Sequence, residues 1–250
     1  MPQPRSLPPK PISEVWRPEL TRLPALKTGQ CFFRRGIRAL IRFIVLLFTR
    51  AKVEGMEKFP RKGPALVVIN HLGDADGVLG IAYWPVFTDP LAKIELFDLP
   101  SLGKIIDLYG VIWVHRGLPD RRAIRTALKG LHQERIISIA PEGRESLLGA
   151  LEGGTEGAAF IARKADISIV PVAITGTENW RIYGNMKKFR RTEVTMTVGD
   201  SFHLPRGCDR KTDLEEGTKM IMETLARLLP VDLRGEYGYI EDEPYSGKFS

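Results

Sequence analysis

Short apolar runs that alternate with helical patterns constrain the fold of this 250-residue chain more than any other feature. The apolar runs lie at 65–69, 93–97, 111–114, 136–140, 167–174 and 194–198. Several are apolar throughout, which is typical of strands that are buried on both faces. The helical patterns lie at 76–85, 101–108, 119–133, 155–164 and 213–229, and Pro119 suits a helix start. This alternation predicts an α/β fold with a mixed, largely parallel sheet flanked by helices.

The positive charge of the chain is concentrated in its first quarter. Residues 1–62 hold fourteen Lys and Arg and four Asp and Glu, which gives +10, whereas the whole chain carries +7. A segment of this kind attracts anionic partners, either nucleic acid or a membrane. Because interleaved aromatic and basic residues of the RNA-binding type do not recur further along, we favour anionic lipids and expect no nucleic-acid partner.

The segment 32–48 has the pattern of a basic amphipathic helix. Arg34, Arg38 and Arg42 are spaced four apart, and most apolar residues fall opposite them. The densest apolar stretch, 43–48, is far shorter than the roughly 20 residues that span a bilayer. We therefore expect an N-terminal membrane-contact element that lies in the interface. The alternative is a helix docked on the core with a solvated basic face.

The first thirty residues are rich in proline and lack the continuous apolar region of a secretory signal. We therefore expect a peripheral or monotopic protein at the cytoplasmic face of a membrane. Cys31 and Cys208 are too few and too far apart for a disulfide framework or a CxxC metal site, so structural roles are expected for both.

A histidine and an aspartate follow the first predicted strand. His71 lies at the carboxyl end of that strand, where α/β sheets place their sites. Asp76 comes five residues later, past Gly73, so the chain can turn back and bring its carboxylate to the imidazole. A carboxylate orients a histidine and makes it more basic, as the deprotonation of a hydroxyl requires. An aspartate that merely caps a helix beside an unrelated histidine gives the same pattern.

Two arginines follow other predicted strands. Arg116 comes directly after the strand at 111–114, and Arg144 stands in a glycine turn after the strand at 136–140, between two carboxylates. A guanidinium matches phosphate oxygens bidentately, so both arginines could hold an anionic head group beside His71. Either of them could instead be one member of a surface ion pair.

The order of several sequence blocks resembles that of the 1-acylglycerol-3-phosphate acyltransferase (PlsC-type) family. The blocks are Val53–Glu57, Asn70-His71 with Asp76, Ala92–Leu96, Gly110–Arg116, Pro141-Glu142-Gly143 and Val170–Ile174. Each block is common by itself, whereas their order and spacing together are specific. The resemblance covers about residues 53–176.

This resemblance implies that His71 deprotonates the acceptor hydroxyl, which attacks an acyl-CoA or acyl-carrier-protein thioester while Asp76 steadies the imidazolium. It implies no covalent acyl-enzyme, no metal and no cofactor beyond the acyl donor. The acceptor would be 1-acylglycerol 3-phosphate and the product phosphatidic acid. The residues that it assigns to the acceptor are Arg116, Glu142 and Gly143, with Lys104 as a further candidate, and it places Val170 and Pro171 at the acyl-donor pocket. Arg144 is a candidate for the acceptor from its place after the strand and not from the resemblance.

Three positions depart from the family pattern. Gly73 stands where a serine is usual, and His115 stands where an acidic residue commonly precedes the arginine. In the third block Arg144 follows Gly143 directly, and Glu145 takes the usual arginine position. This shift leaves the acceptor head group more open than the reaction class, so another lysolipid or an amino-lipid hydroxyl is the alternative acceptor.

Three other classes of protein make different demands on the sequence. A serine hydrolase requires a GxSxG elbow, which the chain lacks. A metal site could use His71, Asp74 and Asp76, but no second histidine stands at a ligand-like spacing. A non-catalytic membrane-binding relative is expected to lose His71 or Asp76.

Three regions follow from these patterns. Residues 1–52 form a proline-rich basic N-terminus with the interfacial helix, residues 53–205 form the acyltransferase catalytic domain, and residues 206–250 form a C-terminal helix and an acidic tail.

Overall fold

A seven-stranded sheet forms the centre of the computed structural model, which describes residues 7–117, 119–205 and 210–240. The strands are β1 (Thr49–Glu54), β2 (Ala65–Ile69), β3 (Asp89–Lys93), β4 (Ile112–Val114), β5 (Ile136–Ile139), β6 (Ile169–Thr175) and β7 (Thr192–Val198). Their order in the sheet is β1-β7-β6-β2-β5-β3-β4. Neighbouring strands run parallel except β6 and β7. The predicted mixed, largely parallel sheet is confirmed, and β2, β3, β4, β5 and β6 present their carboxyl ends at one edge.

Helices cover both faces of the sheet. They are α1 (Thr28–Phe48), α2 (Ala75–Tyr83), α3 (Leu102–Tyr109), α4 (Arg121–His132), α5 (Gly157–Ala165), α6 (Asn179–Lys187) and α7 (Arg210–Leu228). One core cluster joins α4, α5 and α7 to the sheet, and a second joins α1, α2 and α6 to the opposite face. Because β2 is buried on both faces, all five of its residues are apolar, as its sequence predicts.

Two strand predictions need correction. The run 93–97 is not a strand: the strand is β3, and Ile94–Asp98 form a short 3-10 helix whose apolar side chains pack in a third core cluster. β1 has no counterpart in the sequence prediction. It lies at the sheet edge, where exposed side chains alternate with buried or half-buried ones, so its apolar signal is weak.

One helix boundary also shifts. The helix predicted from Pro119 begins at Arg121, because Asp120 caps it by accepting hydrogen bonds from Arg122 N and Ala123 N. The division predicted at residue 52 falls inside β1, which pairs with β7 of the same sheet. The predicted acidic tail and Cys208 lie outside the described residues, apart from the part of the tail before residue 241.

The first helix packs on the core through one face, which includes Arg34. This arginine is 2% exposed and pairs with Asp89 at 2.6 Å, and it donates to the carbonyl oxygens of Tyr109 and Gly110. The predicted basic face is therefore partly internal, since its first arginine anchors α1 to the start of β3. An apolar face of the same helix remains exposed, with Phe32, Leu40, Phe43 and Leu47 each more than half exposed.

An extended segment precedes this helix, and we call residues 8–21 the N-terminal strap. Its carbonyl oxygens of Pro8 and Pro9 accept from Arg144, and Lys10 Nζ donates to Gly153 O at 2.6 Å. Further along, Thr21 Oγ1 donates to the carbonyl of Trp113 in β4 at 3.0 Å. The strap thus crosses the carboxyl edge of the sheet from the loop after β5 to the end of β4.

Candidate active site

His71 stands directly after β2, and its neighbour Asn70 fixes where that strand ends. The Asn70 side chain donates to Ile174 O at 2.8 Å and accepts from Ile174 N at 2.7 Å. This buried amide replaces one step of main-chain pairing with β6. The main chain of His71 therefore leaves the sheet at a defined point on the carboxyl edge.

His71 and Asp76 form the predicted dyad. His71 Nδ1 lies 2.8 Å from Asp76 Oδ2, and that oxygen also accepts from Leu72 N at 2.8 Å and Gly73 N at 3.0 Å. Asp76 is fully buried, whereas the His71 side chain is 25% exposed. A carboxylate acceptor at Nδ1 places the ring proton there, so Nε2 keeps its lone pair. No hydrogen bond from the described residues occupies Nε2.

The turn between the two residues requires glycine at position 73. A Cβ there would lie 2.4 Å from Thr177 O and 2.7 Å from the side-chain oxygen of Asn179. The departure from the serine of the family pattern therefore has a steric reason in this chain. The close approach lets the loop before α6 pack directly against the dyad turn.

Glu142 holds the main chain of His71 from the next strand. Its side chain is fully buried and accepts from His71 N and Glu152 N, each at 2.8 Å. Gly143, at φ +72°, completes the turn after β5. Glu142 thus supports the main chain of His71 and does not face the solvent, and its assignment to the acceptor stays a prediction.

Two ionisable groups of the site have shifted pKa values. Burial alone lowers the pKa of His71, but the hydrogen bond and charge of Asp76, with the charges of Glu145 and Glu142, outweigh burial and raise it above its usual 6.5. Burial raises the pKa of Glu142 to about 7, against its two main-chain hydrogen bonds and the charge of His71, which lower it. The carboxylates around His71 therefore make it a stronger base.

Arg116 lies at the same edge, but three strands away from His71. Three strand spacings, about 14 Å, separate the main chains of β2 and β4. The guanidinium pairs with Glu95 at 3.4 Å, and Arg116 N donates to Ser13 Oγ at 2.8 Å. Its Nε is buried without a partner among the described residues. The structure thus places Arg116 where it could contact an acceptor at a distance from the reacting hydroxyl.

Arg144 is not brought to the dyad as a free cation. It is 8% exposed, its Nε donates to Glu152 at 2.7 Å, and its Nη1 donates to Pro8 O at 2.8 Å. Arg144 is a member of an ion pair, which was the alternative expectation for this residue, but the pair is buried and not at the surface. Its contact with an acceptor stays a prediction.

The other predicted residues lie away from the dyad. Lys104 is exposed on α3 and makes no hydrogen bond or ion pair with the residues that the structure describes. Val170 and Pro171 are buried in the middle of β6, opposite Val67 and Val68 of β2. Their place at an acyl-donor pocket stays a prediction.

Sequence reasoning missed three polar residues beside His71. Lys93 ends β3 and pairs with Glu145 at 3.0 Å, and Asn179 Nδ2 donates to the other oxygen of Glu145 at 3.0 Å. In the sequence, Glu145 stands out only because it occupies the position where the family usually has arginine. Asn179 begins a helix that the sequence did not predict, so no signal pointed to it.

A second histidine–aspartate pair has the same spacing as the dyad. His115 Nδ1 lies 3.0 Å from Asp120 Oδ2, five residues along the chain. His115 is 5% exposed, and its Nε2 accepts from Arg17 N of the strap at 3.0 Å. The lone pair that a base requires is therefore occupied, and this pair is structural.

The alternative metal site is not formed. Among the residues that the structure describes, no group of three or more His, Cys, Asp and Glu side chains is arranged to hold a metal ion. Asp74 instead accepts a hydrogen bond from Tyr183 OH at 2.9 Å, on the outer side of the turn.

A histidine whose Nε2 lone pair is open, held by a buried carboxylate at the carboxyl edge of an α/β sheet, has the arrangement that general-base chemistry requires. The sequence profile of the family described as Acyltransferase matches residues 50–175, which include the dyad, Glu142 and Arg116. The chain belongs to this Acyltransferase family.

Several relatives share this region. The chain is 30% identical over 137 residues to a 1-acyl-sn-glycerol-3-phosphate acyltransferase of Borreliella burgdorferi, which covers 52% of this chain and 53% of that protein. It is 26% identical to the Bacillus subtilis protein of the same name, over 65% of this chain and 79% of that protein. The chain thus spans about half the length of the Borreliella relative.

A solved structure shares the fold. The 1-acyl-sn-glycerophosphate acyltransferase PlsC from Thermotoga maritima superposes with a TM-score of 0.55 at 23% identity, over 78% of this chain and 81% of that one. This likeness extends the similarity in fold beyond the residues that the family profile matches.

Proposed function

We propose that this chain transfers a fatty acyl group from acyl-CoA or acyl-carrier protein to the free hydroxyl of 1-acylglycerol 3-phosphate, giving phosphatidic acid. The observation that carries the proposal is the His71–Asp76 dyad with its open Nε2, inside the segment that matches the Acyltransferase family. The names of the relatives support this acceptor.

The proposed reaction uses two proton transfers at one atom. Nε2 of His71 takes the proton of the acceptor hydroxyl as its oxygen attacks the thioester carbonyl, and Asp76 stabilises the imidazolium that forms. The tetrahedral intermediate then expels the thiolate, which takes the proton back from Nε2 and leaves as the free thiol. The products are the ester and CoA or the carrier protein, and His71 returns to its neutral form.

Product analysis tests this proposal. Purified protein is incubated with acyl-CoA and a panel of lysolipids, and the lipids are identified by mass spectrometry. His71→Ala is expected to abolish acyl transfer without unfolding the protein, because the side chain is a quarter exposed and, among the described residues, its hydrogen bond is to Asp76. The matched control is His132→Ala, an exposed histidine on α4, which should keep full activity. Near-normal turnover by His71→Ala would refute the proposed role of His71 in proton transfer.

Arg116 is proposed to contact the phosphate of the acceptor. For Arg116→Ala we expect a raised KM for the acceptor with little change in the KM for the acyl donor, because the lost contact is mainly ground-state binding. Arg125→Ala, an exposed arginine on α4, is the control. An unchanged acceptor KM would remove Arg116 from the site.

We also propose that α1 contacts the surface of a membrane, at its cytoplasmic face. In the described parts of the chain, no helix combines the length and apolarity needed to cross a bilayer. The exposed apolar face of α1 is flanked by exposed Arg35 and Arg42, and this combination favours binding to anionic lipids. Exposed Leu102, Ile105 and Leu108 of the neighbouring α3 extend the apolar surface.

Point substitutions test this contact better than deletion, since removing α1 would leave Asp89 without Arg34. Co-sedimentation with anionic vesicles is expected to be salt-sensitive and to fall strongly in the double variant Phe43→Ser/Leu47→Ser. Val231→Ser, which changes an exposed apolar residue after α7, is the control. Unchanged vesicle binding by the double variant would assign the contact elsewhere.

A further inference from the structure

Lys93 and Glu145 form a fixed, partly exposed charge pair beside His71. Lys93 ends β3, and Glu145 lies in the loop after β5, the strand between β3 and β2. Their charged atoms are 3.0 Å apart, and their side chains are 32% and 25% exposed. The Glu145 charge acts on His71 strongly enough to contribute to its raised pKa. The pair therefore presents one positive and one negative group to a ligand that binds next to His71.

The carboxylate of this pair is held from both sides. Its second oxygen accepts from Asn179 Nδ2 at 3.0 Å, and Asn179 Oδ1 in turn accepts from Asp74 N at 2.9 Å. Asn179 thus ties Glu145 to the turn that carries the dyad. Because both oxygens are held, Glu145 does not swing away to leave Lys93 as an isolated cation.

The charge balance at the edge does not match a doubly charged anion. Besides the buried Asp76, the carboxylates of Asp74 and Glu145 lie at the turn, and the partly exposed cations Lys93 and Arg116 are each paired with a carboxylate. Arg144 is neutralised by Glu152. A phosphomonoester dianion placed on Lys93 would lie against the carboxylate of Glu145, and like charges in contact disfavour binding.

A head group with both signs of charge matches the pair. An ammonium has three N–H donors, and Glu145 is the one described partner of Lys93 Nζ, so two donors remain for phosphate oxygens. Glu145 can accept a further hydrogen bond from an ammonium, since carboxylate oxygens each offer more than one lone pair. In a phosphoethanolamine-type head group two carbon atoms separate phosphate and ammonium, so both can contact a charge pair of this size.

We propose that the Lys93–Glu145 pair selects the acceptor head group, and that zwitterionic lysophospholipids are acylated at least as efficiently as 1-acylglycerol 3-phosphate. This inference rests on the proposed acyl transfer and concerns only which lysolipid the site prefers. Lys93 binds the phosphate together with Arg116, which follows the neighbouring strand β4, and Glu145 binds the ammonium. Asn179 positions Glu145 and does not contact the lipid.

The experiment compares two acceptors with the same acyl chain, 1-acylglycerol 3-phosphate and 1-acylglycerophosphoethanolamine. The kcat/KM of each is measured with one acyl-CoA. For the unaltered protein, the ratio of the zwitterionic to the phosphomonoester value is expected to be one or more. Glu145→Gln should lower this ratio by about tenfold, by weakening ammonium binding and by removing repulsion of the dianion. Lys93→Gln should raise KM for both acceptors.

Two controls separate selectivity from general damage. Glu156→Gln removes an exposed carboxylate at the start of α5 and should leave the ratio unchanged. Glu145→Asp keeps the charge and should retain most of the preference. The proposal is overturned if the ratio for the unaltered protein is below one, or if Glu145→Gln changes the kcat/KM of both acceptors by the same factor. Acylation of neither lysolipid would instead contradict the proposed acyl transfer.

Discussion

Replacing Asp76 by asparagine isolates the electrostatic contribution of the dyad, because the two side chains have nearly the same shape. An amide oxygen at the Oδ2 position can still accept from Leu72 N, Gly73 N and His71 Nδ1, so the turn and the tautomer are retained. The amide NH₂ then occupies the Oδ1 position, which is buried and has no partner among the described residues. The variant therefore loses the charge and gains one unsatisfied donor.

The magnitude follows from the separation of the charges. With Nδ1 and Oδ2 2.8 Å apart, the centres of the imidazolium and carboxylate are about 4 Å apart, which gives about 4 kcal/mol at an effective dielectric constant of 20. Since the imidazole is a quarter exposed, solvent reduces this to roughly 2–4 kcal/mol. At 1.36 kcal/mol per factor of ten, kcat should fall roughly 30- to 1000-fold.

The assay is the release of free thiol from acyl-CoA at saturating acceptor, followed over pH. Because the base must be neutral, kcat of the unaltered protein should rise with pH through the raised pKa of His71. In Asp76→Asn this rise should move to lower pH, since the carboxylate no longer favours the charged ring. Asp120→Asn is the matched control, with the same spacing and a capping residue retained, and it should keep near-normal kcat. A kcat of Asp76→Asn within threefold of normal would refute the electrostatic account.

Three further outcomes are expected. The free energy of unfolding should decline by roughly 3 kcal/mol from pH 4.5 to 7, because burial raises the pKa of Glu142 to about 7 and the folded state disfavours its ionised form. Denaturant unfolding of Glu142→Gln, followed over the same pH range, should lack most of this decline. Arg34→Met should destabilise the fold by about 3 kcal/mol, measured by thermal melting, because it strips the buried Asp89 of one partner; a melting temperature within 2 °C of normal would contradict this. Gly73→Ser installs the residue usual in the family and should nevertheless reduce kcat at least tenfold, because its Cβ meets Thr177 O at 2.4 Å; unimpaired turnover would show that the turn can relax.

The sequence predicted the central strands and the dyad because both depend on local patterns. β2 is apolar throughout, and the turn from His71 to Asp76 is only five residues long. The position of β3 was wrong because it begins with a buried aspartate followed by proline. Asp89 is tolerated there since Arg34, 55 residues earlier, neutralises it, and no local pattern records a partner at that distance.

The sequence also did not predict the environment of Arg144 and Arg116. The N-terminal strap binds Arg144 and Arg116 through main-chain atoms and one serine hydroxyl. Because main-chain contacts leave no pattern of side chains, the proline-rich composition did not predict where the strap lies. Glu145 and Asn179 lie 34 residues apart, and the helix that carries Asn179 was not predicted. The proposed head-group contacts thus depend on distant segments of the chain, whereas the His71–Asp76 pair depends on a single turn.

The second histidine–aspartate pair has a consequence for recognising bases of this kind. A search for His and Asp five residues apart would return both His71 and His115, and the ring-to-carboxylate distances, 2.8 and 3.0 Å, do not separate them. The two differ at the opposite nitrogen, which in His115 accepts from the main chain of Arg17. The same pair of residue types is therefore structural at His115, whereas at His71 it has the open Nε2 that the proposed proton transfer requires.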